Sequence, residues 1–178
     1  MTNVIAAANA SFQHSGHIGP AAVLKTIDRW LRGPLSSSEG FVTLVVGSLE
    51  PQTGELRLSN AGHSPVLYVL NGQPHSLPAH FPPVGVLEID ETREVTVHLQ
   101  EGDLFVSASD GLSEQQNPEG QMFGDDRFSE FVTMNTDRCP AEIGASLFDR
   151  VEEFAGGTSQ ADDRTLLCIR LQPMLAPK

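Results

Sequence analysis

Two aspartate-bearing segments offer the clearest chemistry in the chain. The first, Ser107-Ala108-Ser109-Asp110-Gly111-Leu112, closes an apolar stretch that begins at Leu104. An aspartate at a strand end presents its carboxylate to a cleft, and a following glycine lets a ligand approach the main chain. The second, Gln160-Ala161-Asp162-Asp163-Arg164-Thr165, precedes another apolar run. Adjacent aspartates on extended backbone point to opposite sides, so one of the two faces any given site. Taken singly, each segment is more often a solvated turn. Together, with no histidine or cysteine at ligand spacing, they predict a site for a hard cation. Mg2+ and Mn2+ prefer carboxylate and water oxygens in octahedral geometry. Two such ions a few ångströms apart can activate a water and steady the leaving oxygen of a phosphate ester. A third segment, Asn60-Ala61-Gly62-His63-Ser64-Pro65, offers His63 as an acid, a base or a phosphate contact. The sequence supplies it with no partner, and the commoner reading is a structural bend between strands. His14, His17, His75, His80 and His98 have no motif around them and read as surface or loop residues.

These segments need elements to hold them, and the apolar periodicity supplies candidates. Val4, Ile5, Ala8 and Phe12 have helical spacing, followed by a break at Gly16 and Gly19-Pro20. Val23, Leu24, Ile27, Trp30 and Leu31 repeat at three and four residues, and Gly33-Pro34 is expected to stop that helix. Leu35 to Gly40 reads as a loop. Phe41 to Leu49 is a mostly apolar run expected to form a strand buried on both faces. Pro51 to Gly54 turns the chain, Leu56 and Leu58 mark a second strand, and Val66 to Leu70 a third. Asn71-Gly72 is a hairpin signal, yet the proline-rich residues 74 to 83 read as a loop. Val95, Val97 and Leu99 alternate, and Leu104 to Ser107 is a further strand. Glu119 to Arg127 reads as a solvated loop leading to a short helix marked by Phe128, Phe131 and Val132. Pro140 opens a longer helix bearing Ile143, Leu147, Val151 and Phe154 on one face, with Gly156-Gly157 after it. Thr165 to Leu171 is the last strand, and the tail 173–178 is expected to fray. Helices, a run of strands, helices and a strand make an α+β layered domain.

Composition narrows the function classes. The 178 residues suit one domain, and 39% hydrophobic residues are enough for a sizeable core. Eleven basic against 23 acidic residues leave a formal charge of −12. Such acidity disfavours nucleic acid and anionic membrane surfaces as partners and favours cations. No apolar stretch approaches the length of a membrane span, and the N-terminus lacks the basic region of a signal peptide. Cys139 and Cys168 sit in no metal or redox pattern and read as reduced thiols of a cytoplasmic protein.

Beyond these local readings, an ordered set of motifs resembles the SpoIIE/RsbU-type serine phosphatases of bacteria. It comprises Phe41-Val-Thr-Leu, Leu58-Ser-Asn-Ala-Gly-His-Ser-Pro65 and Pro83-Val-Gly-Val-Leu87. Gly102-Asp103-Leu-Phe-Val-Ser-Ala-Ser-Asp110-Gly-Leu-Ser-Glu114 matches the family's "G-D … T-D-G-x-x-E". Asn117 to Gly124 matches "N-x-x-G-x-x-F-G", and Gln160 to Leu167 matches "Q-x-D-D-x-T-L-L". The matches run over about residues 20 to 171 in family order. The resemblance implies the metal-dependent PPM-phosphatase fold, a β-sandwich flanked by helices, over residues 1–172 with a tail at 173–178. It implies hydrolysis of phosphoserine or phosphothreonine with two Mn2+ or Mg2+ ions, on a phosphorylated regulatory protein of the anti-sigma-factor antagonist type, in stress or sporulation signalling. Asp110 and Asp162 fall on the family's metal-ligand aspartates. The resemblance further implies a supporting role for Asp163 behind the ligands, a place for Gly111 either behind them or facing substrate, and positions for Asn60 and His63 near the catalytic face without acting as ligands.

One departure tempers the expectation. The family's first motif, D-x-x-G-x-G, supplies the aspartate that bridges the two metals and precedes a helix of the type P-A-A-L-L-M. This chain opens at what looks like the last residue of that pattern, so it reads as N-terminally incomplete. Asp28, Asp90 and Asp103 have no glycine pattern to replace the motif. Three readings follow: a phosphatase domain whose full chemistry belongs to a longer chain, a non-catalytic phosphoprotein-binding module, or a homodimerisation module built on exposed strand edges. The sequence predicts a poor di-metal centre and little activity for the chain alone.

Overall fold

The computed structural model describes residues 19–160 and 162–172. The helix expected at Val4 to Phe12 and the tail 173–178 lie outside the described residues. The chain divides into two compact units, Met1–His63 with Pro78–His98, and Ser64–Leu77 with Leu99–Lys178.

In the first unit, helix α1 spans Pro20–Ser37. Proline at its first turn costs no hydrogen bond, and the Gly19 cap offers no side chain. A carboxylate from elsewhere does that work, as Glu94 Oε2 accepts from the Ala21 N–H at 3.3 Å. Glu94 is held in turn by an ion pair with Arg57. Gly33-Pro34 does not end the helix, contrary to the expectation from sequence. Leu35 packs against the core one residue beyond the proline and rewards another turn. The hydroxyls of Ser37 and Ser38 bond the carbonyls of Gly33 and Pro34.

Strands β1 (Leu44–Glu50), β2 (Glu55–Ala61) and β5 (Val95–His98) form an antiparallel sheet in the order β1-β2-β5. The run Phe41 to Leu49 is not buried on both faces: β1 lies at an edge, only Val46 along it is buried, and Phe41 is 62% exposed. The apolar face of α1 (Val23, Leu24, Ile27, Leu31) meets Val46, Ala61, Phe81, Val84 and Ile89 in a single core. Asp28 is fully buried there, pairing with Arg32 and accepting from the Ile89 N–H at 3.2 Å.

The second unit contains β3 (Val66–Leu70), β4 (Gln73–Ser76), β6 (Leu104–Ala108) and β7 (Leu166–Arg170), ordered β4-β3-β6-β7 and antiparallel throughout. Strand β4 occupies the start of the stretch expected to be a loop. Asn71 and Gly72 both have positive φ, 50° and 76°, which makes the tight two-residue hairpin, and the chain must then pair back on β3. Proline is tolerated at position 74 because β4 is an edge strand. Asp103 is buried as a turn anchor, accepting from the N–H groups of Asn71 and Gln100 at 2.9 and 2.8 Å.

Three helices complete this unit: α2 (Asp110–Ser113), α3 (Gly124–Met134) and α4 (Pro140–Ala155). The charged run before Phe128 is already helical from Gly124, with Asp125 and Asp126 in the first turn, where the helix dipole favours them. Helix α4 ends as its glycines predict, with Gly156 left-handed at φ 55°. Leu67, Val69, Leu104, Val106 and Ala108 share one face of the sheet and pack on Phe128, Val132, Ile143, Leu147 and Val151 of α3 and α4. Strand β6, buried along its whole length, therefore delivers Ser109 and Asp110 from a rigid position. No helix among the described residues is long and apolar enough to cross a membrane.

Candidate metal centre

The two aspartate segments meet in the second unit. Beyond β6, Ser109 is the hinge of the contact. Its N–H donates to Thr165 O at 3.0 Å, its hydroxyl donates to Asp163 O at 2.9 Å, and its Oγ accepts from the Thr165 N–H at 2.8 Å. Asp110 then opens α2, and its carbonyl accepts from Glu114 N–H at 2.7 Å. Gly111 is where the segments touch most closely. A Cβ there would lie 2.4 Å from Asp163 O and 2.9 Å from Asp162 O, distances no side chain tolerates. Glycine is needed for approach, since its backbone is ordinary helix.

Asp110, Asp162 and Asp163 are all exposed. Asp162 Oδ1 accepts from the Asp163 N–H at 2.7 Å, and Gln160 Nε2 donates to Asp162 O at 2.8 Å. The Asp162 carboxylate is thus oriented by its own turn while its other oxygen carries no such bond to the Asp163 N–H.

Polar residues that the sequence did not single out hold this turn. Gln115 is only 1% exposed. Its amide donates to Gln116 O and Thr158 Oγ1, and its Oε1 accepts from Arg164 Nη2 at 2.5 Å. The Arg164 side chain, 7% exposed, also pairs with Glu152 of α4 at 2.9 Å. A glutamine beside another glutamine after S-D-G-L-S-E looks like loop, so only its burial reveals it.

Asn60, Gly62 and His63 belong to the first unit. Asn60 is fully buried, its Oδ1 accepting from the His63 N–H and its Nδ2 donating to His63 O, each at 2.9 Å. The side chain closes the turn on itself. Gly62 takes φ 68°, and a Cβ there would lie 2.6 Å from Pro83 Cγ. His63 Nδ1 and Thr43 Oγ1 are 3.2 Å apart. His80 Nδ1 accepts from the Asn60 N–H at 3.1 Å, and burial, with Arg93 adding repulsion, holds the His80 imidazole below its ordinary range.

Asp110 and Asp162 are the donors a hard cation asks for. Mg2+ and Mn2+ commonly take one or two protein carboxylates and complete their shell with water. Among the described residues, no three Asp, Glu, His or Cys side chains group as ligands. As a donor set, two carboxylates suit one divalent ion whose shell is completed by solvent, and a two-ion centre is not assembled by the described residues.

The family model described as Stage II sporulation protein E matches residues 1–172. The chain belongs to the SpoIIE family. It is a PP2C-type serine/threonine phosphatase-family domain. Among curated proteins, Protein IcfG of Synechocystis sp. is 28% identical over 131 residues, covering 72% of this chain and 20% of that protein. The chain thus spans about a fifth of the length of that relative. Among solved structures, the SiaA-PP2C domain of Pseudomonas aeruginosa superposes with a TM-score of 0.84 at 23% identity, covering 95% of this chain and 68% of the other. The RsbU and RsbW domains of a Mycobacterium tuberculosis protein give 0.73 at 24%, covering 97% and 47%. The SpoIIE phosphatase domain of Bacillus subtilis gives 0.65 at 20%, covering 98% and 76%. The mixed helix and antiparallel-sheet architecture is thus that of the PP2C domains.

Proposed function

We propose that this SpoIIE-family domain hydrolyses phosphoserine or phosphothreonine on a small regulatory protein in bacterial signalling, with Mn2+ or Mg2+ held by Asp110 and Asp162. One observation carries the reading: the main chain of Asp162 and Asp163 lies against Gly111, so two aspartates 52 positions apart in sequence, Asp110 and Asp162, sit on segments that touch. The cation, when bound, supplies positive charge against the phosphoryl oxygens and acidifies a coordinated water. The chain's own residues do the positioning. Asp110 projects from the first turn of a helix anchored by a buried strand. Gly111 leaves room for the main chain of the partner segment, and the Asp163 N–H orients Asp162. Asn60 and His63 are assigned to the turn they close, not to the metal.

Support for the substrate class comes from the neighbours, one of which joins an RsbU domain to an RsbW domain. A phosphorylated anti-sigma-factor antagonist is the partner this suggests. Cys139 and Cys168 carry no disulfide, in keeping with the cytoplasm.

The test is hydrolysis of p-nitrophenyl phosphate by the 178-residue chain across a Mn2+ titration. Weak but metal-dependent turnover is expected of the chain alone, and it should vanish in Asp110→Asn. Turnover unchanged in that variant would remove Asp110 from the site. A second reading is favoured by the lack of a third grouped ligand among the described residues: a domain that binds phosphoprotein without hydrolysing it. Folded protein that binds a phosphoserine peptide and shows no turnover at any Mn2+ concentration would select that reading.

A further inference from the structure

We propose that Gln115 and Arg164 are positioning residues, a buried clasp that fixes the Asp162 turn against α2 and thereby sets how tightly the centre holds its cation. The inference rests on the reading of Asp110 and Asp162 as ligands.

Gln115 follows directly on Glu114, the C-terminal cap of α2, and its side chain is enclosed. The amide nitrogen donates to Gln116 O at 2.9 Å and Thr158 Oγ1 at 3.1 Å, with Ser159 O at 3.5 Å. The amide oxygen takes Arg164 Nη2 at 2.5 Å, and the other arm of Arg164 reaches Glu152 at 2.9 Å. One side chain at the end of α2 therefore grips the chain on both sides of the exposed aspartates, at residues 158–159 and at residue 164. Thr158 is fixed again by its own hydroxyl, which bonds Ala155 O at the end of α4. Between these two ties, the main chain of Asp162 and Asp163 rests on Gly111 and on the Ser109 hydroxyl, so the clasp and that contact together fix the turn.

The chemistry of the clasp fits geometry-setting better than stability. Burying an amide and a guanidinium costs free energy that their hydrogen bonds largely return, so the net gain is small. Hydrogen bonds are directional where apolar contact is not, so a buried network favours one arrangement even though Arg164 Nε within it has no partner. A small divalent ion demands near-ideal octahedral donors, so a carboxylate on a loose turn would bind it weakly. Groups behind metal ligands typically change affinity by about 10–100-fold when removed.

Two measurements on the 178-residue chain test this: Mn2+ affinity from the electron paramagnetic resonance of the free ion, and hydrogen exchange of residues 156–165 without metal. Gln115→Leu and Arg164→Met should each weaken Mn2+ binding by about tenfold or more and speed exchange in that segment. Gln115→Glu should recover part of the affinity, because its carboxylate still accepts from Arg164. Leu147→Ala, a cavity in the core at the fully buried centre of α4, should lower the melting temperature yet leave affinity within about twofold. The proposal is overturned if Gln115→Leu binds Mn2+ like the parent chain while Asp162→Asn does not. It is equally overturned if Leu147→Ala weakens binding as much as Gln115→Leu does. Should Asp110→Asn and Asp162→Asn both bind like the parent, the ligand reading itself fails. Exchange then decides the clasp alone, and unaltered exchange in Gln115→Leu sinks it.

Discussion

Gly111 concentrates the argument at the scale of a residue. The obstacle to any side chain there is the carbonyl of Asp163, which is main chain and cannot swing aside as a long side chain could. Gly111→Ala should therefore cost about 1–3 kcal/mol, the usual penalty of overpacking. It should also weaken Mn2+ binding, because the displaced atoms carry Asp162. Urea unfolding and the free-ion titration check both effects, and a variant with parental stability would show that the contact is slack. The sequence made Gly111 legible as a place of close approach, but not what approaches it. Asn60 shows the same division. Its type and its place before Gly62-His63 marked a special turn, while the burial that commits its amide to the His63 main chain came from packing. Gln115 was not legible at all, because its role depends on Thr158 and Arg164, 43 and 49 positions away.

At the scale of elements, local signals held wherever local energetics dominates and failed where a distant partner competed. Asn71-Gly72 makes its hairpin because two positive-φ residues match the twist of paired strands. That turn then imposed a strand on the proline-containing stretch that composition had marked as loop. Gly33-Pro34 does not stop the helix: it runs on to Ser37, where a partly buried Leu35 packs on the core and the Ser37 and Ser38 hydroxyls bond carbonyls of the last turn. The end of β2 is secured by the loop bearing His80. The Asn60 carbonyl accepts from the His80 and Phe81 N–H groups at 2.8 and 3.1 Å, and the Asn60 N–H donates to the His80 ring. Because burial depresses the His80 pKa, the fold favours the neutral ring. This contribution is complete above the unfolded value of about 6.5 and is lost as pH falls from there through the folded value. His80→Gln keeps an acceptor but takes up no proton. Unfolding free energies at pH 7.5 and 5.5 should show a smaller acid loss in that variant than in the parent, by an amount that ordinary error in urea extrapolation does not cover. Equal losses would assign the acid sensitivity to other groups.

For the whole molecule, charge is the dominant long-range fact. With 23 acidic against 11 basic residues, the ion pairs such as Arg93–Glu91 and Arg150–Glu153 leave most carboxylates among the described residues unmatched. Exposed pairs are worth at most about 1 kcal/mol each and weaken with salt, whereas self-repulsion of an excess charge weakens with it too. Repulsion has more members here, so the melting temperature should rise between low salt and about 0.5 M NaCl, where the Debye length falls to a few ångströms. A fall would mean that the few pairs outweigh the many unmatched carboxylates. By itself the sequence determined the α+β class, the family and the aspartates worth testing, because apolar period, turn residues and motif order are properties of neighbours along the chain. Only the tertiary structure decided that Asp162 lies against Gly111, that Gln115 and Arg164 hold it there, and that Asn60 is spent on its own turn. Those are contacts between residues far apart in the chain, and burial selects them only once the sheet and helices have closed around them.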